Sequence, residues 1–112
     1  MIDSYSFGEI TVDGHRYLSD LIIYPDRVDD AWWRIEGHRL QVDDLRDVPG
    51  ETADLIVIGT GAYGMVEVEP EVLKLLEERG VPVQIDKTEK ACLTYNCSCL
   101  GKRVIALLHL TC

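Results

Sequence analysis

The sequence lacks the features that would place the chain in a membrane or at its surface. No apolar run approaches the roughly 18 residues that a membrane-spanning helix needs. The first residues, Met1–Tyr5, have neither the basic start nor the apolar stretch of a signal peptide. We therefore expect a cytoplasmic protein.

Positive charge is also scarce. The chain has 11 basic and 20 acidic residues, which gives a formal net charge of -9. Such a charge repels phosphate backbones and anionic lipid surfaces at long range. The basic residues that could form a local patch are scattered rather than aligned: Arg16, Arg34, His38, Arg39, Lys102 and Arg103. We expect neither nucleic acid nor a membrane among the partners.

Cysteine is absent from the first 91 residues and confined to the C-terminal part, at Cys92, Cys97, Cys99 and Cys112. A disulfide scaffold would spread its cysteines along a short secreted chain. Zinc sites usually show two cysteine pairs, each spaced by two to four residues, or one such pair with paired histidines. Because neither pattern is present, we interpret these residues as reduced thiols. We expect no metal and no cofactor, and a thiol or metal protein is the least favoured function.

What is present indicates one α/β domain over residues 1–112. The hydrophobic fraction of 46% is ordinary for a globular chain, and the length suits a single core. Residues 1–48 carry signals of antiparallel strands. Residues 49–112 alternate strand and helix.

Asp13-Gly14 predicts a β-hairpin, because a two-residue turn of this kind needs two positive φ angles. The strands would cover residues 10–12 and 17–18. We expect the second arm to continue through residues 20–24.

Glu36-Gly37-His38 predicts a second hairpin, with strands over residues 32–35 and 39–42. Alternation along the first strand would direct one tryptophan to the core. Trp33 and Arg34 are therefore the candidate surface for a protein partner.

The C-terminal part predicts a β-α-β-α-β unit with right-handed parallel crossovers. Its strands are expected over residues 53–58, 81–85 and 104–110, and its helices from Pro70 to Gly80 and over residues 89–99. Pro70 suits a first helical turn, Gly80 suits a left-handed C-cap, and Thr88 is expected to be an N-cap.

Gly59-Thr60-Gly61-Ala62-Tyr63-Gly64 matches the G-x-G-x-x-G pattern of dinucleotide-binding loops. In that motif the third glycine opens a helix, whereas here five residues precede Pro70 and two of them are glutamates. Two interpretations stay open. The segment is a flexible turn, or the backbone of Gly59, Thr60 and Gly61 binds a small anion at the carboxyl end of a strand.

No catalytic constellation is apparent. His109 is expected on a buried strand, where a structural role is more common, although a pair with Cys112 stays open. The acid pairs Asp29-Asp30 and Asp43-Asp44 lie in polar stretches, and we interpret them as solvated turn or cap residues. We assign no catalytic residue.

Several stretches, in this order along nearly the whole chain, resemble the Mth938-type family of domains of unknown function (DUF498), which includes a mitochondrial complex I assembly factor and the adipogenesis-associated domain protein. They are Tyr5-Ser6-Phe7-Gly8 with Ile10, Asp20-Leu21-Ile22-Ile23, Trp33-Arg34 with Gly37-His38, Ile58-Gly59-Thr60-Gly61, Thr88 with Ala91, Tyr95-Asn96, and Arg103-Val104 with His109-Leu110-Thr111-Cys112.

The resemblance implies a three-layer α/β fold with a mixed central sheet and an added antiparallel β layer. It also implies that Gly59, Thr60, Gly61, Tyr95 and Asn96 border the pocket. No enzymatic activity comes with the family, and its animal members act in assembly or regulation. We therefore expect a non-enzymatic binding or assembly module, with a protein partner or a second copy of the chain. The alternative is a small-anion or ligand-binding protein, or an enzyme, that uses the Gly59–Gly61 loop.

Overall fold

The computed structural model describes residues 1–112 as ten strands, two α-helices and two 3-10 turns. The strands are β1 (Ile2–Ser6), β2 (Glu9–Val12), β3 (His15–Tyr17), β4 (Leu21–Ile23), β5 (Val28–Asp29), β6 (Arg39–Leu40), β7 (Leu55–Gly59), β8 (Glu67–Val68), β9 (Val83–Asp86) and β10 (Val104–Leu108). The helices are α1 (Pro70–Glu78) and α2 (Thr88–Ser98), and the 3-10 turns cover Val42–Leu45 and Val48–Gly50.

A five-stranded sheet in the order β5-β4-β10-β7-β9 forms the centre of the molecule. β10, β7 and β9 are parallel, whereas β4 is antiparallel to β10 and β5 is antiparallel to β4. The predicted mixed central sheet is confirmed. Two of its strands come from the N-terminal half of the chain.

Both faces of this sheet are covered, which gives three layers. On one face, Val104, Ala106 and Leu108 of β10 belong to a cluster with residues of α2, β1 and β2. On the other face, Ile105 and Leu107 belong to a cluster with residues of α1 and the 3-10 turns. Because β10 is buried on both faces, it is apolar at every position, as the sequence predicted.

The added antiparallel layer is the sheet β1-β2-β3. Asp13 and Gly14 have φ angles of 48° and 81°, which confirms the predicted turn. The expected continuation of its second arm is wrong, because β3 ends at Tyr17 and Leu21–Ile23 forms β4 of the central sheet. A fully apolar segment needs cover on both faces, and only the central sheet provides it.

The predicted hairpin over residues 32–42 is also wrong. β6 pairs in parallel with β8, and only one isolated bridge, between Glu36 and Arg39, joins the two expected arms. The physical reason is Asp44, which is buried rather than solvated. Its carboxylate accepts the N–H of Ile35 at 2.9 Å and that of Gln41 at 2.9 Å, so a side chain replaces the cross-strand ladder.

The helices follow the sequence closely. α1 begins at Pro70 and ends in a motif in which the N–H of Gly80, at φ 72°, donates to Glu77 O. α2 starts one residue before the predicted position. Thr88 is not its N-cap, since Lys87 takes that place and the Thr88 side chain is fully buried instead. Neither helix is long and apolar enough to cross a membrane.

Candidate functional site

The carboxyl ends of the parallel strands meet at one edge of the central sheet, which we call the carboxyl edge. Gly59 at the end of β7 lies beside Leu108 of β10 and Asp86 of β9. Loops leaving such an edge form the ligand sites of many α/β folds. Here the edge carries the glycine loop, residues 59–64, and the segment 109–112 that follows β10.

Two of the three glycines of the loop are explained by close packing. A Cβ at Gly59 would lie 2.9 Å from both Leu108 Cδ2 and Thr88 Oγ1. Gly61 has φ +107°, and a Cβ there would overlap the backbone of Cys112. The loop is therefore clamped between α2 and the segment 109–112.

Three successive backbone donors of the loop are already engaged. The N–H of Thr60 donates to Asp86 O at 2.9 Å, that of Gly61 to Thr88 Oγ1 at 2.8 Å, and that of Ala62 to Thr111 O at 2.7 Å. An anion at this loop would have to displace these bonds. The ligand-binding role of Gly59, Thr60 and Gly61 stays a prediction.

Tyr95 and Asn96 do not reach the glycine loop. They lie about two turns further along α2 than Thr88, which corresponds to roughly 11 Å of helix rise. Asn96 binds the N–H and the carbonyl of Ile2, both at 2.8 Å, and so fastens β1 to the helix. Tyr95 is buried in the core, and that burial raises the pKa of its phenol. Their place in a pocket also stays a prediction.

A buried polar cluster that we did not predict from the sequence lies beside the glycine loop. Asp20, just before β4, accepts hydrogen bonds at Oδ2 from Arg34 Nη2 and His109 Nδ1, both at 2.7 Å. Its Oδ1 accepts the N–H of Leu110 at 2.8 Å. One carboxylate thus joins three segments that are far apart in sequence.

The contacts define the roles in this cluster. A carboxylate can only accept, so we assign the His109 proton to Nδ1, which also lies 3.0 Å from Arg34 Nη2. Nε2 faces Thr111 Oγ1 at 3.3 Å. Burial alone would raise the pKa of Asp20. The hydrogen bonds from His109, Leu110 and Arg34 outweigh it, so the pKa of Asp20 lies below its usual value.

Arg34 is the least satisfied member. Its side chain is 5% exposed, its Nε donates to Gly37 O at 2.9 Å, and its guanidinium carbon lies 4.7 Å from the centre of the Trp32 ring. Nη1 is buried without a hydrogen-bond partner. Native structures rarely leave such a donor unpaired.

Above the cluster is a cavity of about 400 Å³. It is lined by Leu18, Ser19, Asp20, Trp32, Trp33, Arg34, Gly37 and Thr111. The cavity therefore has an ionic and hydroxyl-bearing floor and aromatic walls.

Of the two residues predicted to form a partner surface, Trp33 is exposed and the side chain of Arg34 is buried. Trp32 is buried and Trp33 is 74% exposed, which confirms that one tryptophan faces the core. Arg34, in contrast, is turned inward to Asp20.

Trp33 is one of a group of exposed apolar side chains at the carboxyl edge, which we call the apolar rim. Its members are Phe7, Leu18, Trp33, Tyr63 and Met65. The rings of Phe7 and Tyr63 lie 5.9 Å apart, and the N–H of Met65 donates to Cys112 O at 3.0 Å. The other two members line the cavity.

The four cysteines are free thiols. Burial, with a smaller contribution from Glu89, raises the pKa of Cys92 to about 12, so this thiol stays protonated and unreactive. Cys97 is exposed. No three His, Cys, Asp or Glu side chains are grouped as metal ligands would be.

Comparison with known families decides the identity of the fold. A family model described as "Protein of unknown function (DUF498/DUF598)" matches residues 2–109. The chain belongs to the DUF498 family.

Curated relatives of this DUF498 domain include NADH dehydrogenase [ubiquinone] 1 alpha subcomplex assembly factor 3 of mouse and of human. They are 29% and 28% identical to it over 92% of its length. The match covers 56% of each relative, so the chain spans little more than half the length of these proteins.

Solved structures share the whole fold. A conserved hypothetical protein from Pyrococcus horikoshii has a TM-score of 0.86 at 29% identity and covers 100% of this chain and 99% of its own. The NMR structure of a Xanthomonas campestris protein has a TM-score of 0.82 at 21% identity and covers 98% of this chain and 83% of its own. The first supports the family and the fold, and the second supports the fold alone.

The cluster of the DUF498 domain did leave a signal in the sequence. Asp20 directly precedes the apolar strand β4, and His109 directly follows the apolar strand β10. Single polar residues at the ends of buried strands are candidates for mutual pairing, because each needs a partner when it is buried. No local pattern indicated that Arg34 would join them.

Proposed function

We propose that this DUF498 domain is a non-enzymatic protein-binding module that acts in assembly and docks its partner on the apolar rim. The observation that carries this proposal is that five exposed large apolar side chains flank the segment 109–112. Phe7 and Tyr63 are in ring contact, Met65 is bonded through its backbone to Cys112, and Leu18 and Trp33 share a cavity with Thr111. The relatives named as assembly factors support it.

The rim is suited to docking because its base is rigid. The glycine loop is bonded to α2, β9 and the segment 109–112, and Asp20 holds the opposite side of the edge. A surface whose backbone is already ordered loses little conformational entropy when a partner binds. Exposed aromatic residues such as Trp33 and Tyr63 are common anchors of protein interfaces.

Charge indicates what kind of partner the rim takes. A net charge of -9 attracts a partner with basic residues around its apolar contact and speeds its association. The same charge makes two copies of the chain repel each other. We therefore favour a different protein over a homo-oligomer.

The test compares variants at the two ends of the sheet. Trp33→Ala and Tyr63→Ser remove exposed rim side chains, whereas Leu100→Ala removes a side chain that is 77% exposed beyond the C-terminal end of α2. In quantitative pull-downs from native lysate, we expect one protein to be recovered in stoichiometric amounts with the wild type and Leu100→Ala. Its recovery falls at least about tenfold with both rim variants, because truncating a hot-spot residue of an interface costs about 2 kcal/mol or more.

Equal recovery with all four proteins, or recovery of the bare domain alone, would exclude the rim as the docking surface. Light scattering on the purified domain gives a second readout, and a stable dimer would show that the partner is another copy. The cytoplasmic location predicted from the sequence stays a prediction, which cell fractionation tests.

A further inference from the structure

We propose that the cavity beneath Trp33 is a binding site for a small organic acid with a flat apolar body. Arg34 and Thr111 would hold its carboxylate, and the tryptophan side chain would cover its apolar part. This site goes beyond the docking function and is separate from the glycine loop.

The first step of the argument is the unpaired nitrogen of Arg34. The guanidinium is almost fully buried, and two of its three nitrogens are bonded, to Gly37 O and to Asp20 Oδ2. Nη1 has no acceptor. A buried charged donor without a partner loses its hydration and gains nothing in return, so an acceptor supplied by a ligand would relieve this cost.

The second step is the chemistry of that acceptor. A guanidinium binds planar oxyanions through directed N–H groups, and carboxylates match this geometry. Asp20 already neutralises the charge of Arg34. The Ser19 hydroxyl donates to Asp30 O, whereas the Thr111 hydroxyl faces His109 Nε2 at a long 3.3 Å and can turn to donate to a ligand instead. Few donors and little excess charge suit a single carboxylate better than a doubly charged phosphate.

The third step is the shape of the cavity. Its volume of about 400 Å³ falls within the range of small-molecule pockets. Leu18, Trp32 and Trp33 form apolar walls, which favour a ring or another flat apolar body over a hydrated chain.

Entry requires a movement of the wall, because Nη1 has almost no accessible surface. Trp33 lines the cavity and projects 74% of its surface into solvent, so its side chain has room to turn. The ligand would then be enclosed between Trp33 and the floor.

Benzoate is the probe for the test, and benzamide is its neutral counterpart of the same shape. Titration of the isotope-labelled full chain, followed by NMR amide shifts, locates binding. We expect benzoate to shift the amides of Trp33, Arg34 and Thr111, and benzamide to bind at least about tenfold more weakly, because it lacks the charge that strengthens the hydrogen bonds to Arg34.

Variants test the assigned residues. Trp33→Ala and Thr111→Val should each weaken benzoate binding by about threefold or more, while Leu93→Ala, an exposed apolar residue on α2, leaves it unchanged. Arg34→Lys keeps the charge but loses the planar fork and should abolish the shifts. If Arg34→Lys does not fold, Thr111→Val decides, since its side chain is small and only partly buried.

Three results would overturn the assignment: equal binding of benzoate and benzamide, amide shifts outside the cavity, or no shift at roughly 20 mM benzoate. None of these measurements needs a protein partner. Tyr63→Ser separates the two proposals further, because Tyr63 belongs to the rim but not to the cavity wall. It should weaken partner recovery and leave benzoate binding intact.

Discussion

At the scale of single residues, Asp20 organises the carboxyl edge. It receives hydrogen bonds from Arg34, His109 and Leu110, which belong to two distant parts of the chain. A buried carboxylate is favourable only when such donors surround it. The hydrogen bonds to Asp20 thus hold the segment 109–112 against the residue that precedes β4.

Asp20→Asn tests this role through the pH dependence of stability. The folded pKa of Asp20 is depressed, so its stabilising contribution is complete above the unfolded pKa of about 3.9 and is lost as pH falls through the folded pKa. At neutral pH the variant leaves Arg34 without its counter-charge and should lose about 3–5 kcal/mol.

Urea unfolding of both proteins between about pH 6 and pH 2.5 measures the effect. We expect the free-energy difference between wild type and Asp20→Asn to shrink steadily below about pH 4. A constant difference across this range would show that the Asp20 charge does not contribute.

The sequence predicted the burial of some of these residues correctly and that of others wrongly. One of the two tryptophans is buried, Trp32, and Trp33 is exposed, as expected, although residues 32–35 do not form the strand on which that expectation rested. The sequence could not show that Arg34 turns inward, since its counter-charge Asp20 is brought near only by the assembled sheet. A pair of residues that only the tertiary fold brings together has no characteristic spacing in the sequence.

At the scale of elements, Thr88 links α2 to the two strands whose carboxyl ends it covers. Its hydroxyl accepts the N–H of Gly61 at 2.8 Å and donates to His109 O at 2.6 Å. The sequence indicated a helix starting near this residue, and that was nearly correct. The sequence predicts a helix N-cap for Thr88, because threonine is common there. It does not reveal that the hydroxyl bonds to the loop at Gly61, because that loop is remote in sequence.

Thr88→Val should loosen this junction, because it keeps the shape and removes the hydroxyl. Two buried backbone groups lose their partner, and we expect a loss of about 2–4 kcal/mol in the free energy of unfolding. Amide hydrogen exchange at Gly61 should accelerate along with it.

Thr88→Ser is the matched control, since it keeps both hydrogen bonds and removes only a methyl group at a cost of roughly 1 kcal/mol. Similar losses for the two variants would mean that packing rather than hydrogen bonding holds the junction.

At the scale of the whole molecule, one sheet separates two apolar clusters that unfold together if the domain is cooperative. Apolar strands and amphipathic helices were predictable because their patterns are local. The absence of the hairpin over residues 32–42 was not predictable, because the turn sequence is compatible with one. The buried Asp44 carboxylate instead accepts the N–H groups of Ile35 and Gln41, which the two strands of a hairpin would have used.

Ile10→Val and Ile58→Val test whether the two faces unfold as one unit, since each residue is 1% exposed and they belong to different clusters. Each should cost about 0.5–1.5 kcal/mol, and the double variant should show the sum within roughly 0.5 kcal/mol. Far-UV and near-UV circular dichroism should report the same midpoint throughout. Ile85→Val, at a partly exposed position, is the control and should change little.

Separate midpoints for the two spectral regions would show instead that one layer melts before the other.

The position of β10 has a consequence for synthesis on the ribosome. β10 is the last strand in the sequence, yet it lies between β4 and β7 and pairs with both. Until residues 104–108 have been made, β4 with β5 and β7 with β9 each lack their shared neighbour and expose an unpaired apolar strand edge. Nascent chains that stop short of this point would have two unpaired strand edges and would lack the strand that pairs with both. We expect such chains to aggregate and to bind chaperones.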